Sequence, residues 1–178
     1  ACVGGRAYLP DHQRVEALRD KILADRGRVS LSRAVVDART NAVWMYREAR
    51  GLPTAVASSG TMLWDGRWRI SAGGGSADLH VAAQGRTAGV GCEAQKPEIP
   101  PALVRAALAA EPGVYRNGMF LGAAGEVQGV GMSLSARRVV SPYALFLPDF
   151  DLAVAQALSH LMGNSKLKSS PWKKHIAA

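Results

Sequence analysis

Cysteine is nearly absent from this chain: Cys2 and Cys92 are the only two in 178 residues. They stand singly, without a CxxC pair or a nearby pair of histidines, which argues against a disulfide framework and against a zinc site. Acidic residues are scarce as well. There are 14 against 22 lysines and arginines, so the formal charge is +8. No apolar run approaches the roughly 18 residues needed to span a bilayer, so no membrane partner is expected. There is no charged-then-apolar leader, and unpaired thiols fit a reducing, cytoplasmic setting. The opening, Ala1-Cys2-Val3-Gly4-Gly5-Arg6, lacks methionine, which suggests a piece of something longer. The common catalytic signatures are missing too: no GxxxxGK[ST] phosphate loop, no GxSxG elbow and no HExxH helix. The four histidines (His12, His80, His160, His175) are scattered. The triplet Gly73-Gly74-Gly75 has no helix behind it to make an anion site, and reads as a plain loop.

What is present is a globular composition. The apolar share is 48%, enough for a sizeable core. The excess of basic residues favours a polyanionic partner, although charge alone can also serve only solubility.

Asp11 can cap a helix in which Val15, Leu18, Ile22 and Leu23 share a face, with Gly27 at its end. From Val29 the period shortens. Val29, Leu31, Val35 and Val36, a polar turn over residues 37–41, and then Val43-Trp44-Met45-Tyr46 read as one hairpin. Met62, Trp64, Trp68 and Ile70 are spaced as strands on either side of an Asp65-Gly66 turn, and Leu79, Val81 and Ala83 alternate again. Pro100-Pro101 opens a second helix with Leu103, Val104, Ala107 and Leu108 inside. Asn117-Gly118 is the strongest hairpin signal in the chain. Val127 and Val130 suggest one more short strand. Asp149 can cap a last helix that packs through Phe150, Val154, Ala157, Leu158 and Leu161 and stops at Gly163. The expected fold is therefore α+β, with short antiparallel hairpins and about three helices. The expected segments are 1–28 (helical), 29–84 (hairpin-rich), 92–163 (α+β) and 164–178, a basic and mobile tail.

Two motifs carry most of the meaning. In Tyr46-Arg47-Glu48-Ala49-Arg50-Gly51-Leu52-Pro53, Arg47 and Arg50 bracket an acid at a strand end. They can fork onto phosphates, or form an internal arginine–glutamate pair. Trp64-Asp65-Gly66-Arg67-Trp68-Arg69 interleaves aromatics with arginines. Such a pattern can stack bases, or it can place both tryptophans in the core with Asp65 paired to Arg67. Arg137, Arg138, Lys166, Lys168, Lys173 and Lys174 are candidates by exposure, with Trp172 among the lysines. Cys92-Glu93 and His80 are the only loose candidates for a self-sufficient active site.

Those two motifs, together with Gly5-Arg6-Ala7-Tyr8-Leu9-Pro10 upstream and Pro142-Tyr143-Ala144-Leu145-Phe146-Leu147-Pro148 downstream, resemble the C-terminal part of proteobacterial tRNA(Ile)-lysidine synthetase over most of residues 4–163. The resemblance implies that the parent protein is an ATP- and Mg²⁺-dependent ligase. It would adenylate C2 of the wobble cytidine in a tRNA with a CAU anticodon and replace AMP with lysine. It implies a catalytic PP-loop of SGGxDS type in an N-terminal domain, which this sequence does not contain. No catalytic residue carries over, and no cofactor is expected in this chain. What carries over is an accessory role, with tRNA and the PP-loop domain as partners. The RNA-contact candidates are Arg47, Arg50, Arg67, Arg69, Arg137, Arg138, Lys166, Lys168, Lys173 and Lys174. The rival expectation is a structural or homodimerising region whose charge is incidental. Clustering of Arg47, Arg50, Arg67, Arg137 and Arg138 on one face would favour RNA, and pairing with acids would favour a scaffold.

Overall fold

A computed structural model describes residues 1–24, 26–58, 60–73, 78–85, 99–127, 134–140 and 152–163. Among these are three helices and ten short strands in three antiparallel sheets, an α+β fold. The order is α1 (His12–Ala24), β1 (Gly27–Leu31), β2 (Ala34–Ala38), β3 (Val43–Arg47), β4 (Val56–Ala57), β5 (Gly60–Trp64), β6 (Trp68–Ala72), β7 (Leu79–Ala83), α2 (Pro101–Leu108), β8 (Pro112–Arg116), β9 (Met119–Ala123), β10 (Leu134–Arg138) and α3 (Leu152–Leu161). No helix among the described residues is long and apolar enough to cross a membrane.

The helices begin where local chemistry dictates. The Asp11 carboxylate accepts the free N–H groups of Gln13 at 2.9 Å and Arg14 at 3.3 Å, which caps α1. Pro101 opens α2 with its ring already at a helical φ and no N–H to leave unpaired. Gly163 closes α3 at φ 72°, its N–H donating to the His160 carbonyl at 3.0 Å.

The first sheet has the order β1-β2-β3. The sequence pattern suggests a single strand from Val29 to Val36, but the chain turns back at Ser32-Arg33. Leu31 pairs with Ala34, and both turn residues take positive φ, 49° and 66°. A two-residue hairpin needs that left-handed backbone, usually supplied by asparagine or glycine. Serine and arginine hide the turn from a sequence reading.

The other two sheets interleave the halves of the chain. One runs β10-β6-β5 and the other β4-β7-β8-β9. Their facing sides share one core of Trp64, Ile70, Leu79, Val81, Val114, Ala124 and Val127. Burying each large aliphatic member contributes about 1.5–3 kcal/mol. Strand β10 was not legible in the sequence, because Arg137 and Arg138 read as a basic surface run. Val127 lies just after a turn rather than in a strand, and Val130 lies outside the described residues.

Helix α3 turns a different side inward from the one its spacing suggests. Ala155 and Ser159 are buried, with Leu158 and Met162 against Cys2 and Val140, while Val154 and Leu161 are exposed. Phe150 and Asp149 lie outside the described residues. In α1, Leu18 and Ile22 are half-buried, but no residue is fully buried and Leu23 is exposed.

Candidate functional site

The turn that joins β5 to β6 places a carboxylate in the interior of the fold. Asp65 and Gly66 take φ of 51° and 68°, and the Arg67 N–H closes the turn on the Trp64 carbonyl at 3.1 Å. Gly66 has no freedom to be anything larger. A Cβ there would overlap the Gly5 carbonyl oxygen, just as a Cβ on Gly5 would overlap that of Asp65. The N-terminal loop is thereby pressed against the turn, and the Asp65 side chain points inward.

Three arginines converge on that carboxylate. Arg47 grips it with both arms of its fork, Nε to Oδ2 at 2.9 Å and Nη2 to Oδ1 at 3.0 Å. Arg67 donates Nε to Oδ2 at 2.8 Å, and Arg33 donates Nη2 to Oδ1. The other arms of Arg47 and Arg67 are engaged as well. Arg47 reaches the carbonyls of Glu48, Arg50 (3.1 Å) and Gly51 (3.2 Å), tying down the loop that follows β3. Arg67 bonds the Ala110 carbonyl and extends Nη1 to Glu111 Oε1 at 2.8 Å. Glu111 then accepts from Trp68 Nε1 at 2.9 Å and pairs with Arg138 at 3.0 Å, whose guanidinium lies 4.7 Å above the Trp68 ring. Arg33 and Arg47 come from the first sheet, Asp65 and Arg67 from the β5–β6 turn, Glu111 from the α2–β8 junction and Arg138 from β10. This hub stitches the elements together. Its four arginines face two carboxylates. Burial pulls the Arg33 guanidinium below its ordinary value against the attraction of Asp65, and Arg47, Arg6 and Arg67 push it the same way.

Each sequence candidate can now be placed. Arg47 and Arg67 are 1% and 2% exposed and fully engaged, so a phosphate cannot reach them in the folded chain. Arg47 pairs with Asp65 rather than with its neighbour Glu48, and Asp65–Arg67 pairing across the turn is present. Trp64 is in the core and Trp68 is half-buried beneath Arg138. Arg50 projects into solvent and pairs loosely with Glu48 at 3.4 Å. Arg138 is held by Glu111. The five arginines named as a test of clustering are thus mostly paired with acids. Lys166, Lys168, Lys173, Lys174 and Trp172, with Cys92 and Glu93, lie outside the described residues. His80 is exposed on β7, and no cluster of histidine, cysteine, aspartate or glutamate fit to hold a metal occurs among the described residues.

Two candidates behave differently. Arg69 on β6 and Arg137 on β10 are register partners, side by side on the outer face of the sheet, and both are exposed. Neither side chain makes an ion pair or hydrogen bond among the described residues. Sequence reasoning missed Arg33 and Glu111, which join the hub from a turn and a helix end and carry no local signal. Arg69 was legible, since it alternates with inward Trp68 and Ile70. Its pairing with Arg137 was not.

Comparison with known proteins gives one consistent answer. The chain is 41% identical over 177 residues to the tRNA(Ile)-lysidine synthase of Mesorhizobium japonicum, covering 99% of this chain and 39% of that protein. It is 27% identical over 177 residues to the tRNA(Ile)-lysidine synthase of Rhizobium meliloti, covering 95% of this chain and 36% of that one. The chain therefore spans under two fifths of the length of those curated relatives. No family model and no solved structure matches it.

Proposed function

From the premise that this chain matches tRNA(Ile)-lysidine synthases along nearly its whole length, consistent with their C-terminal region, we propose that it is the tRNA-holding part of such an enzyme. In this reading the whole protein is an ATP- and Mg²⁺-dependent ligase. It converts the wobble cytidine of a tRNA with a CAU anticodon to lysidine, and a PP-loop domain elsewhere in the same protein performs the chemistry. This chain supplies no reacting group. Its residues grip and orient the RNA.

The end-to-end match carries the reading, and the charge distribution supports it. Much of the acid near arginines is spent inside the chain: Asp65 and Glu111 serve the hub, Asp37 binds Arg28 and Arg39, and Glu16 and Asp20 bind Arg19. The surplus basic charge is left to the outside, where phosphates can release counterions to it. The test is filter binding of a CAU-anticodon tRNA(Ile) transcript to the chain across a salt series. The expected result is affinity that falls linearly on a log–log plot, by about 0.9 in slope for each duplex phosphate neutralised. Absence of binding at low salt would overturn the proposal.

A second reading is favoured by one observation, the capture of Arg47, Arg67 and Arg138 by buried or half-buried acids. Here the region completes the fold or pairs two copies, and its charge has no RNA partner. That reading expects no tRNA affinity and a self-association visible by sedimentation.

A further inference from the structure

We propose that the outer face of the β5-β6-β10 sheet is a seat for the ribose–phosphate backbone of RNA, gripped by Arg69 and Arg137. This rests on the tRNA-holding reading and assigns it to a surface.

Arg69 stands directly opposite Arg137 on one side and Leu63 on the other. Directly opposed side chains on neighbouring strands have Cβ atoms about 4.5–5.5 Å apart, and like charges so placed repel. Arg28, Arg33, Arg39, Arg47, Arg67 and Arg138 are each met by an acid. On this face the described strand residues include two guanidiniums and no acid. An arrangement that costs stability in the free protein is relieved by an anion seated between the forks, and a phosphodiester fits planar, five-donor guanidiniums.

The next row of the same face is polar in a way that suits a ribose–phosphate chain. Thr61, Ser71 and Ser135 are register partners across the three strands, and the Thr61 and Ser71 hydroxyls are bonded to each other at 2.9 Å. Hydroxyls both donate and accept, so they can meet phosphate oxygens and 2′-hydroxyls alike. The six residues of the two rows, Thr61, Leu63, Arg69, Ser71, Ser135 and Arg137, include no aromatic ring. Trp64 and Trp68 both lie on the inner face, with Ile70. Base stacking therefore has no aromatic platform among these described residues, and the rows suit the backbone of a paired stem rather than splayed bases.

The support beneath is rigid. Arg138, the residue next to Arg137, is fixed by Glu111 at 3.0 Å and by the Trp68 ring, so β10 is anchored from the inner side. A pre-positioned pair of guanidiniums loses less entropy on binding than two mobile lysines.

The experiment compares the salt dependence of tRNA(Ile) transcript binding for the full chain, for R69A/R137A and for R14A/K21A. The last pair removes the same charge from exposed positions on α1. The expected result is a log–log slope shallower by about 2 for R69A/R137A, at about 0.9 for each lost duplex contact, with R14A/K21A close to the parent. Removing opposed like charges should leave the melting temperature unchanged or raised. Should R69A/R137A melt lower, R69Q/R137Q carries the same prediction with the side-chain length largely kept. If the parent binds tRNA and the pair variant keeps the parental slope, the seat is wrong while the tRNA reading stands. If the parent binds no tRNA, both fall. Equal loss in R14A/K21A would mean that only net charge matters and would overturn the seat. So would a pair variant that instead changes sedimentation from dimer to monomer, because the face would then be an interface between copies.

Discussion

Replacing Asp65 by asparagine would remove one charge and leave the shape of the hub almost untouched. Asparagine tolerates the left-handed backbone that Asp65 adopts at φ 51°, so no strain is added at the turn. What changes is that Arg33, Arg47 and Arg67 lose their shared counter-charge while Arg47 and Arg67 stay buried. Removing one partner of a buried ion pair costs about 3–5 kcal/mol, because the remaining charge is left uncompensated. Two fully buried arginines and one that is partly buried share this carboxylate, so the loss should sit at the top of that range. It would consume a large part of a total stability of about 5–15 kcal/mol. For a chain of this size each kcal/mol moves the melting temperature by about 2–4 °C, so a loss of about 5 kcal/mol should make D65N melt roughly 10–20 °C lower. Urea titration followed by circular dichroism measures it. The double variant D65N/R47M should recover part of the loss, since it removes one of the two buried guanidiniums left without a counter-charge and adds no strain at the turn. A D65N midpoint within about 1 kcal/mol of the parent would refute the claim that this carboxylate holds the sheets together.

Further outcomes follow from the same geometry. G66A should be far more damaging than G118A. Both glycines take positive φ, 68° and 78°, but only at Gly66 would a methyl collide with backbone, that of Gly5. The shared conformational term is about 1–2 kcal/mol, and the collision adds a further ~1–3 kcal/mol, readable in urea midpoints. E111A should cost about 1.5–3 kcal/mol and shift tryptophan emission to the red, because Trp68 Nε1 loses its acceptor to water. The Arg39 guanidinium, and then that of Arg28, holds the Asp37 carboxyl below its ordinary value against the opposing effect of burial. A depressed carboxylate stabilises the fold fully above its unfolded value near 3.9 and loses that contribution as pH falls through its folded value. Parent and D37N should therefore differ in stability at neutral pH and converge in strong acid; a constant difference across the acid range would contradict this.

The fold was legible wherever the physics was local. Asp11 as a cap, Pro101 at a helix start, and the Asp65-Gly66 and Asn117-Gly118 turns all announce themselves in two or three residues. The Ser32-Arg33 turn did not, because its positive φ is imposed by pairing of the flanking strands rather than by residues that favour it. Strand β10 stayed hidden because its inward apolar residues, Leu134 and Ala136, are few, and the adjacent Arg137 and Arg138 look like surface. The sites divided the same way. Alternation on β6 turns Arg69 outward and Trp68 and Ile70 inward. Nothing short of the register could put Arg137 beside it, or bring Arg33 and Glu111 to Asp65 from 32 and 46 residues away in sequence. Ion pairs between distant segments leave no trace in spacing. For this reason Arg47 and Arg67, which look like phosphate ligands in the linear chain, belong to the interior.

Two kinds of arginine occur here: those that hold the protein together and, in the proposed reading, a pair left free for an RNA. The central claim is that the region holds tRNA for chemistry done elsewhere. The most direct measurement is steady-state lysidine formation by the whole synthase carrying R69A/R137A, with tRNA varied. The account predicts a KM for tRNA raised severalfold at unchanged kcat, the signature of lost uniform binding. A fall in kcat at unchanged KM, or no change in either, would contradict it.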